Sequence, residues 1–355
     1  MEAHETDSEN ELSVEEFQRR TARIKEKMAV KDVPKKVKKA IEKAEKESIP
    51  KMLEYEHHLH IMGERNSYSK TDVDATFMRM KEDSMKNGQL KPGYNIQIAT
   101  ENRFITNYTV YPHPSDTLTL IPFVENFEKR YGMQSGVIVA DSGYGSEQNY
   151  EYLFSRGITP YVKYNMFHKE QKRKYKKNPF LQQNLFYNRE EKYYVCPMGQ
   201  HLSFIREENR KSNAGYISRV SIYRAERCSG CSLRGLCHKA KGKRQIEVNH
   251  TLNTYKEKVR ILLNSEAGIC HRKRRSVEPE AVFGDIKEGG SFRRFRLRGN
   301  TGVSIDFGLK AIAHNIKKLA VRRQEPDFLR KNALKPPAYY QINTKFYTKR
   351  GVRAA

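Results

Sequence analysis

The feature that most constrains this chain is a short continuous apolar run, Gly136 to Ala140 (GVIVA), that stops abruptly at Asp141-Ser142-Gly143-Tyr144-Gly145. Such a run without polar alternation predicts a strand covered on both faces, as in a sheet flanked by helices. Upstream, Tyr94 to Thr100 (YNIQIAT) and Phe104 to Val110 alternate apolar and polar residues across a short polar turn, which predicts a hairpin. Asp116 then opens an amphipathic helix with Leu120, Phe123, Val124 and Phe127 on one side, and Pro122 predicts a kink or a delayed start. A helix from Ser146 to about Ser155 and a strand near Tyr161 complete the pattern. Together these elements predict an α/β fold whose mixed sheet carries an antiparallel edge.

The flanking regions differ in composition. Ser13-Val14-Glu15-Glu16 has capping-box spacing, so a helix is expected from there through Met28. Residues 1–90 read as a charged helical connector, because Lys31 to Glu47 holds too few apolar residues for a core; Pro34 and Pro50 punctuate it. His57, His58 and His60 cluster without a local acidic or cysteine partner, which favours exposed helix histidines over a metal site. Residues 91–163 form the first part of the sheet domain. Residues 164–260 interrupt it as a basic, cysteine-containing insertion, and residues 261–322 supply its last part. There Arg274 to Lys287 and Gly302 to Arg322 read as helices, and a basic tail spans residues 323–355.

Three constellations point to chemistry. Asp141 ends the most apolar strand, where ligands of open α/β sheets gather, and a carboxylate there suits Mg²⁺; an ordinary turn or N-cap aspartate is the structural alternative. Glu278 and Glu280 sit two apart in RRSVEPEAVFGDIK and point to opposite sides of a helix. Pro279 places Glu278 at or before the first turn, which favours Glu280, whose helix face continues through Gly284 and Lys287. Cys228-Ser229-Gly230-Cys231, with Cys196 and Cys237, supplies four thiolates for a tetrahedral zinc site of zinc-ribbon type, with His201 or His238 as substitutes. Free cysteines and redox chemistry are the alternatives. Cys270 has no evident partner and reads as a buried thiol.

A formal charge of +25 predicts attraction to a polyanion, and SFRRFRLR (Ser291 to Arg298) concentrates it at Arg293, Arg294, Arg296 and Arg298. No stretch approaches the roughly 20 apolar residues of a membrane span, and Met1 opens an acidic segment rather than a signal peptide. Five cysteines in a lysine-rich chain suit a reducing cytoplasm.

In order along the chain stand KPGYNIQ (Lys91 to Gln97), VADSGY (Val139 to Tyr144), EAVFGDIK (Glu280 to Lys287) and FRRFRLRG (Phe292 to Gly299). They resemble the later landmarks of the DDE transposases of bacterial insertion sequences, in the subgroup with a cysteine-containing insertion between second and third acids. The resemblance runs from about Ser69 to Leu319. It implies a ribonuclease-H-like fold with three acids holding two Mg²⁺ ions, DNA (transposon ends and target) as partner, and a homo-oligomer. Asp141 matches the second acid, Glu280 the third, and Lys287 the basic residue two turns later. Nothing before Gly93 reads as the central strand that carries the first acid; Asp72 and Asp74 resemble a landmark downstream of it. The expectation is therefore a domain lacking its first strand through amino-terminal truncation, and inactive by itself. The alternative is a non-enzymatic, basic, zinc-containing nucleic-acid-binding protein.

Overall fold

The computed structural model describes residues 13–30, 34–79, 88–212, 215–289, 292 and 294–324. The chain divides into two compact units, Met1–Gly93 and Tyr94–Ala355.

In the first unit, helix α1 (Val14–Val30) begins at the expected cap, with the Glu16 amide donating to Ser13 Oγ at 3.2 Å. Helix α2 (Lys35–Lys43) follows Pro34 and passes through a π-helical turn (Ala44–Ser48) into α3 (Ile49–Met62). Pro50 lacks the amide that would bond back to Lys46, and its ring crowds the preceding turn. The wider π turn sits where that crowding falls. Neither α2 nor α3 buries a residue, as a solvated connector should not. Among the described residues of this unit the helices end at Met62, however. Thr76–Arg79 (β1) pairs antiparallel with Leu90–Gly93 (β2), so the expectation of an entirely helical segment is corrected. Thr76 and Phe77 are strand-favouring residues that the charged surroundings obscured. Asp72 and Asp74 precede β1 in a tight turn, where the Asp72 carbonyl accepts from the Ala75 amide at 2.9 Å.

The second unit opens with the expected hairpin, β3 (Asn95–Glu101) and β4 (Phe104–Tyr111). Its two turn residues, Asn102 (φ 53°) and Arg103 (φ 66°), both take left-handed backbone, as a type I′ turn demands. Neither is glycine, and contacts from later elements hold both. Arg274 donates to Asn102 Oδ1 at 3.1 Å, and His314 Nε2 lies 2.9 Å from the Arg103 carbonyl. Pro122 delays the next helix: a 3₁₀ turn (Asp116–Leu118) precedes α4 (Leu120–Tyr131), which ends at left-handed Gly132.

Strand β5 (Val137–Ala140), helix α5 (Glu147–Ser155) and strand β6 (Thr159–Val162) form a parallel β-α-β unit, with Ser146 Oγ capping α5. All four residues of β5 are only half-buried, and among the described residues it pairs with β6 alone, so the expectation of two covered faces is corrected. Likewise β3 and β4 form a sheet of two. The β5–β6 core is built from Val124, Tyr150, Leu153, Val162, Val259 and Leu263.

After short helices α6 (Phe167–Glu170) and α7 (Arg173–Lys176) comes a five-stranded antiparallel sheet. Its strands are β7 (Phe186–Asn188), β8 (Tyr193–Val195), β9 (His201–Lys211), β10 (Ile217–Ala225) and β11 (Gln245–Val248), in the order β11-β10-β9-β8-β7. The turn-long helix α8 (Arg234–Cys237) lies between its last two strands. Helix α9 (His250–Asn264), capped by Asn249, returns to the β5–β6 core, where Val259 and Leu263 are fully buried. Helices α10 (Glu266–Arg275) and α11 (Glu278–Gly284), a second π turn (Asp285–Gly289) and α12 (Gly299–Gln324) complete the unit. Val282, Ile286, Phe307 and Ala311 pack there with Ile105 of β4. Among the described residues no helix is long and apolar enough to cross a membrane.

Candidate active site and cysteine pocket

The loop after β5 is fixed from several directions. Asp141 Oδ1 accepts the Ser142 amide at 2.8 Å, which starts a 3₁₀ turn (Ser142–Tyr144). Thr117 Oγ1 donates to the Gly143 carbonyl at 2.8 Å, and Asn149 Nδ2 donates to the Tyr144 carbonyl at 2.8 Å. A Cβ on Gly145 would stand 2.4 Å from the Lys163 carbonyl oxygen, a backbone atom that cannot step aside, so only glycine fits. Asp116 lies beside Gly143, and its Oδ1 accepts from Asn95 at 2.9 Å and Gln97 at 3.0 Å. The Tyr144 hydroxyl donates to Gln97 Oε1. Burial first, and the Asp116 charge after it, push that hydroxyl's pKa up. The YNIQ and DSGY motifs, far apart in the chain, are thus joined through Asp116. The sequence marked Asp116 only as a helix opener; its partners are set by tertiary contact.

Asp141 is engaged by two cations. Lys163 Nζ lies 3.4 Å from its Oδ1 and Arg275 Nη2 lies 3.0 Å from its Oδ2. Partial burial pushes the carboxyl pKa up, but the Ser142 amide, Arg275 and Lys163 outweigh it and hold the group below its ordinary range. Arg275 ends α10, and α11 begins three residues on. Glu278 is turned inward and accepts from Arg274 Nε at 3.0 Å and Nη2 at 2.6 Å. It lies one turn before buried Val282, on the same helix side. Glu280 is exposed, as is Lys287. Lys287 falls in the π turn that follows α11.

Of the arginine-rich segment, Arg293 lies outside the described residues. Arg294, Arg296 and Arg298 are exposed, while Phe292 and Phe295 pack on the α11–α12 core. The Arg296 amide donates to Asp306 Oδ2 at 2.7 Å, pinning the segment to α12.

Cys196, Cys228, Cys231 and Cys237 line one pocket together with His238 and Arg244. Two tight turns shape it, with Gly199 (φ 78°) after Cys196 and Gly230 (φ 70°) inside the CxxC. Both ring nitrogens of His238 are buried without a hydrogen-bond partner. Arg244 donates to two of the sulfurs, from Nη1 to Cys237 at 2.9 Å and from its amide to Cys228 at 3.4 Å. His201 is stacked on Tyr193 with ring centroids 3.8 Å apart and does not line the pocket. Cys270 is half-buried on α10. His58 contacts Glu54 at 3.3 Å and the Tyr68 hydroxyl, which accounts for one member of the histidine cluster.

Residues 195–320 match the family model described as Transposase DDE domain. The match is consistent with a DDE transposase and covers about a third of the chain, from the cysteine pocket to α12. No curated protein and no solved structure matches. A transposase of this family acts on DNA and uses divalent metal ions. Among the described residues, however, no three His, Cys, Asp or Glu side chains are grouped to hold a metal ion. With both oxygens of Asp141 facing cations, the present arrangement does not fit a two-metal centre.

Proposed function

We propose that this chain is the DDE domain of an insertion-sequence transposase, of the subgroup with a cysteine-containing insertion, acting in DNA transposition. Asp141 is its second acid, Glu280 its third, and Lys287 the basic residue that follows. The observation that carries the reading is Asp141 itself: it stands at the end of a parallel strand, in a loop held by Thr117 and Asn149, and it pairs with Arg275, three residues before α11 begins. The domain is ribonuclease-H-like and incomplete. Among the described residues β3–β4 and β5–β6 are separate two-stranded sheets, and the central strand with its acid is expected between them. Two carboxylates hold a pair of Mg²⁺ ions poorly, so the chain is inactive alone. As a working transposase it would be a homo-oligomer on transposon ends and target DNA, in the cytoplasm.

Incubating the purified chain with terminal-repeat DNA and Mg²⁺ tests this reading. We expect no nicking; Mg²⁺-dependent nicking that Asp141→Asn abolishes would support the acid and overturn the incompleteness.

The cysteine pocket is read as a structural zinc site of ribbon type. Its support is that Cys196, Cys228, Cys231 and Cys237 line one pocket beside the unpartnered His238 nitrogens; they are not grouped to hold a metal here, so the thiols would have to close in on the ion and turn from Arg244. Metal analysis should return about one zinc per chain, lost on replacing Cys228 and Cys231 by Ser. Metal-free purified protein with an intact fold would exclude it. The alternative of a non-enzymatic nucleic-acid-binding protein is favoured by one observation, the cation-filled Asp141 site.

A further inference from the structure

Helix α12 is apolar on two faces, and only one of them is covered. Val303, Phe307 and Ala311 are buried on its inner face, which packs on β4. Asn315 clamps that face by exchanging two hydrogen bonds with the Ile105 backbone, both 2.9 Å. A Cβ on Gly308 would stand 2.3 Å from the Tyr108 hydroxyl, so the helix is also seated closely. It cannot turn about its axis to bury its other side. That side carries Ile305, Leu309, Ile312, Ile316 and Leu319, each between 44% and 63% exposed. The steps between them alternate four and three residues, the spacing of a seam between two helices. A helix that is apolar all round belongs in an interior, so the outer stripe calls for a cover. Ala313 and Ala320, exposed beside it, let a second helix approach closely. Cations along its border are drawn away from it. Lys317 Nζ lies 2.9 Å from Asp285 Oδ1, and Lys310 Nζ sits over the Phe292 ring. The stripe is thus an uncharged strip on a chain of net charge +25.

We propose that this stripe is the contact surface for a second copy of the chain, with the two α12 helices packed antiparallel. It rests on the functional reading only in expecting more than one copy, and it names the surface that joins them. Size is the first argument for this occupant. At roughly 100 Å² per aliphatic side chain, two such half-exposed stripes hold on the order of 600 Å² of apolar surface. Apolar atoms form a little over half of an interface, so the whole contact comes to about 1,000 Å², enough for a specific pair. Symmetry is the second. The stripe is aliphatic at every step and therefore complementary to itself about a twofold axis, as a contact between identical patches requires. Charge sets the direction. Lys318 and Arg322 stand toward the end of α12, and parallel pairing would place those of both copies side by side. Antiparallel pairing sends them to opposite ends of a stripe roughly 20 Å long, beyond the screening length of about 10 Å in 0.1 M salt.

The experiment is sedimentation velocity on the nuclease-treated full chain at about 0.5 M salt, where bridging by residual DNA is suppressed. A dimer with a micromolar dissociation constant is expected of a contact this small. Ile312→Glu puts an unpaired charge in the middle of the stripe and should weaken the dimer about a hundredfold or more, as should Ile312→Lys. An equimolar mixture of the two variants should regain it, because position 312 lies near its own symmetry mate and opposite charges then meet. Unfolding cannot produce that rescue, and circular dichroism checks each variant. Benzoylphenylalanine in place of Ile305 gives the direction: in the dimer-sized product its crosslinks should fall between Ala311 and Leu319 of the other copy. A native chain still monomeric at about 100 μM would overturn the interface. So would a dimer that survives Ile312→Glu, a mixture that fails to pair, or crosslinks from position 305 outside that stretch. The reading of Asp141 and of DNA binding is measured separately and would stand.

Discussion

Replacing Arg293, Arg294, Arg296 and Arg298 together by alanine is expected to cut DNA affinity by more than an order of magnitude at moderate salt. It should also flatten the salt dependence by up to about 3.6 in log–log slope. The figure follows from counterion release, which gives a slope near 0.9 per neutralised phosphate on duplex DNA. The geometry makes the segment a strong candidate. Phe292 and Phe295 anchor it on the α11–α12 core, and the Arg296 amide is tied to Asp306. Arg294, Arg296 and Arg298 are exposed on a backbone held at several points. Contacts on a fixed backbone lose less side-chain entropy on binding than contacts on a free tail. The measurement is anisotropy across a salt series. A slope unchanged by the fourfold replacement would remove the segment from the interface.

Much of the second unit was legible because its elements follow strong local rules. The β3–β4 hairpin is an alternating pattern on either side of a polar turn. The β5-α5-β6 unit is an apolar run, a serine cap and a second strand. Pro122 does what a proline in a first turn should. Cys196, Cys228, Cys231 and Cys237, read together from the CxxC and two further thiols, line one pocket. What could not be read locally has a common cause, which is dependence on partners distant in sequence. Asp116 gains its role from Asn95, Gln97 and Gly143, and Asp141 gains its two cations from the ends of β6 and α10. The long strands β9 and β10 were obscured because their outer positions carry Arg and Glu. Ion pairs such as Arg210–Glu247 at 2.8 Å and Arg206–Glu208 at 2.6 Å serve there in place of apolar alternation. Nothing local in FGDIKEGG signals the π turn in which Lys287 falls. The choice between Glu278 and Glu280 turned on a helix start; the structure adds that Glu278 is already committed to Arg274 while Glu280 is exposed.

The central claim is that the Asp141 end of β5 is where DNA lies. Photocrosslinking tests it most directly, with a benzoylphenylalanine placed singly at Ser142, at Arg294 and, for comparison, at Glu190. Ser142 adjoins Asp141, Arg294 lies in the basic segment, and Glu190 is an exposed turn residue of the five-stranded sheet. Such a probe reports only DNA held within reach of the labelled side chain for the duration of the pulse. The account predicts strong crosslinks to duplex DNA from positions 142 and 294 in EDTA, both suppressed by salt, and little or none from position 190. Retained DNA binding with crosslinks from position 190 and none from position 142 would contradict it, since the DNA would then lie away from the carboxylate on which the reading is built.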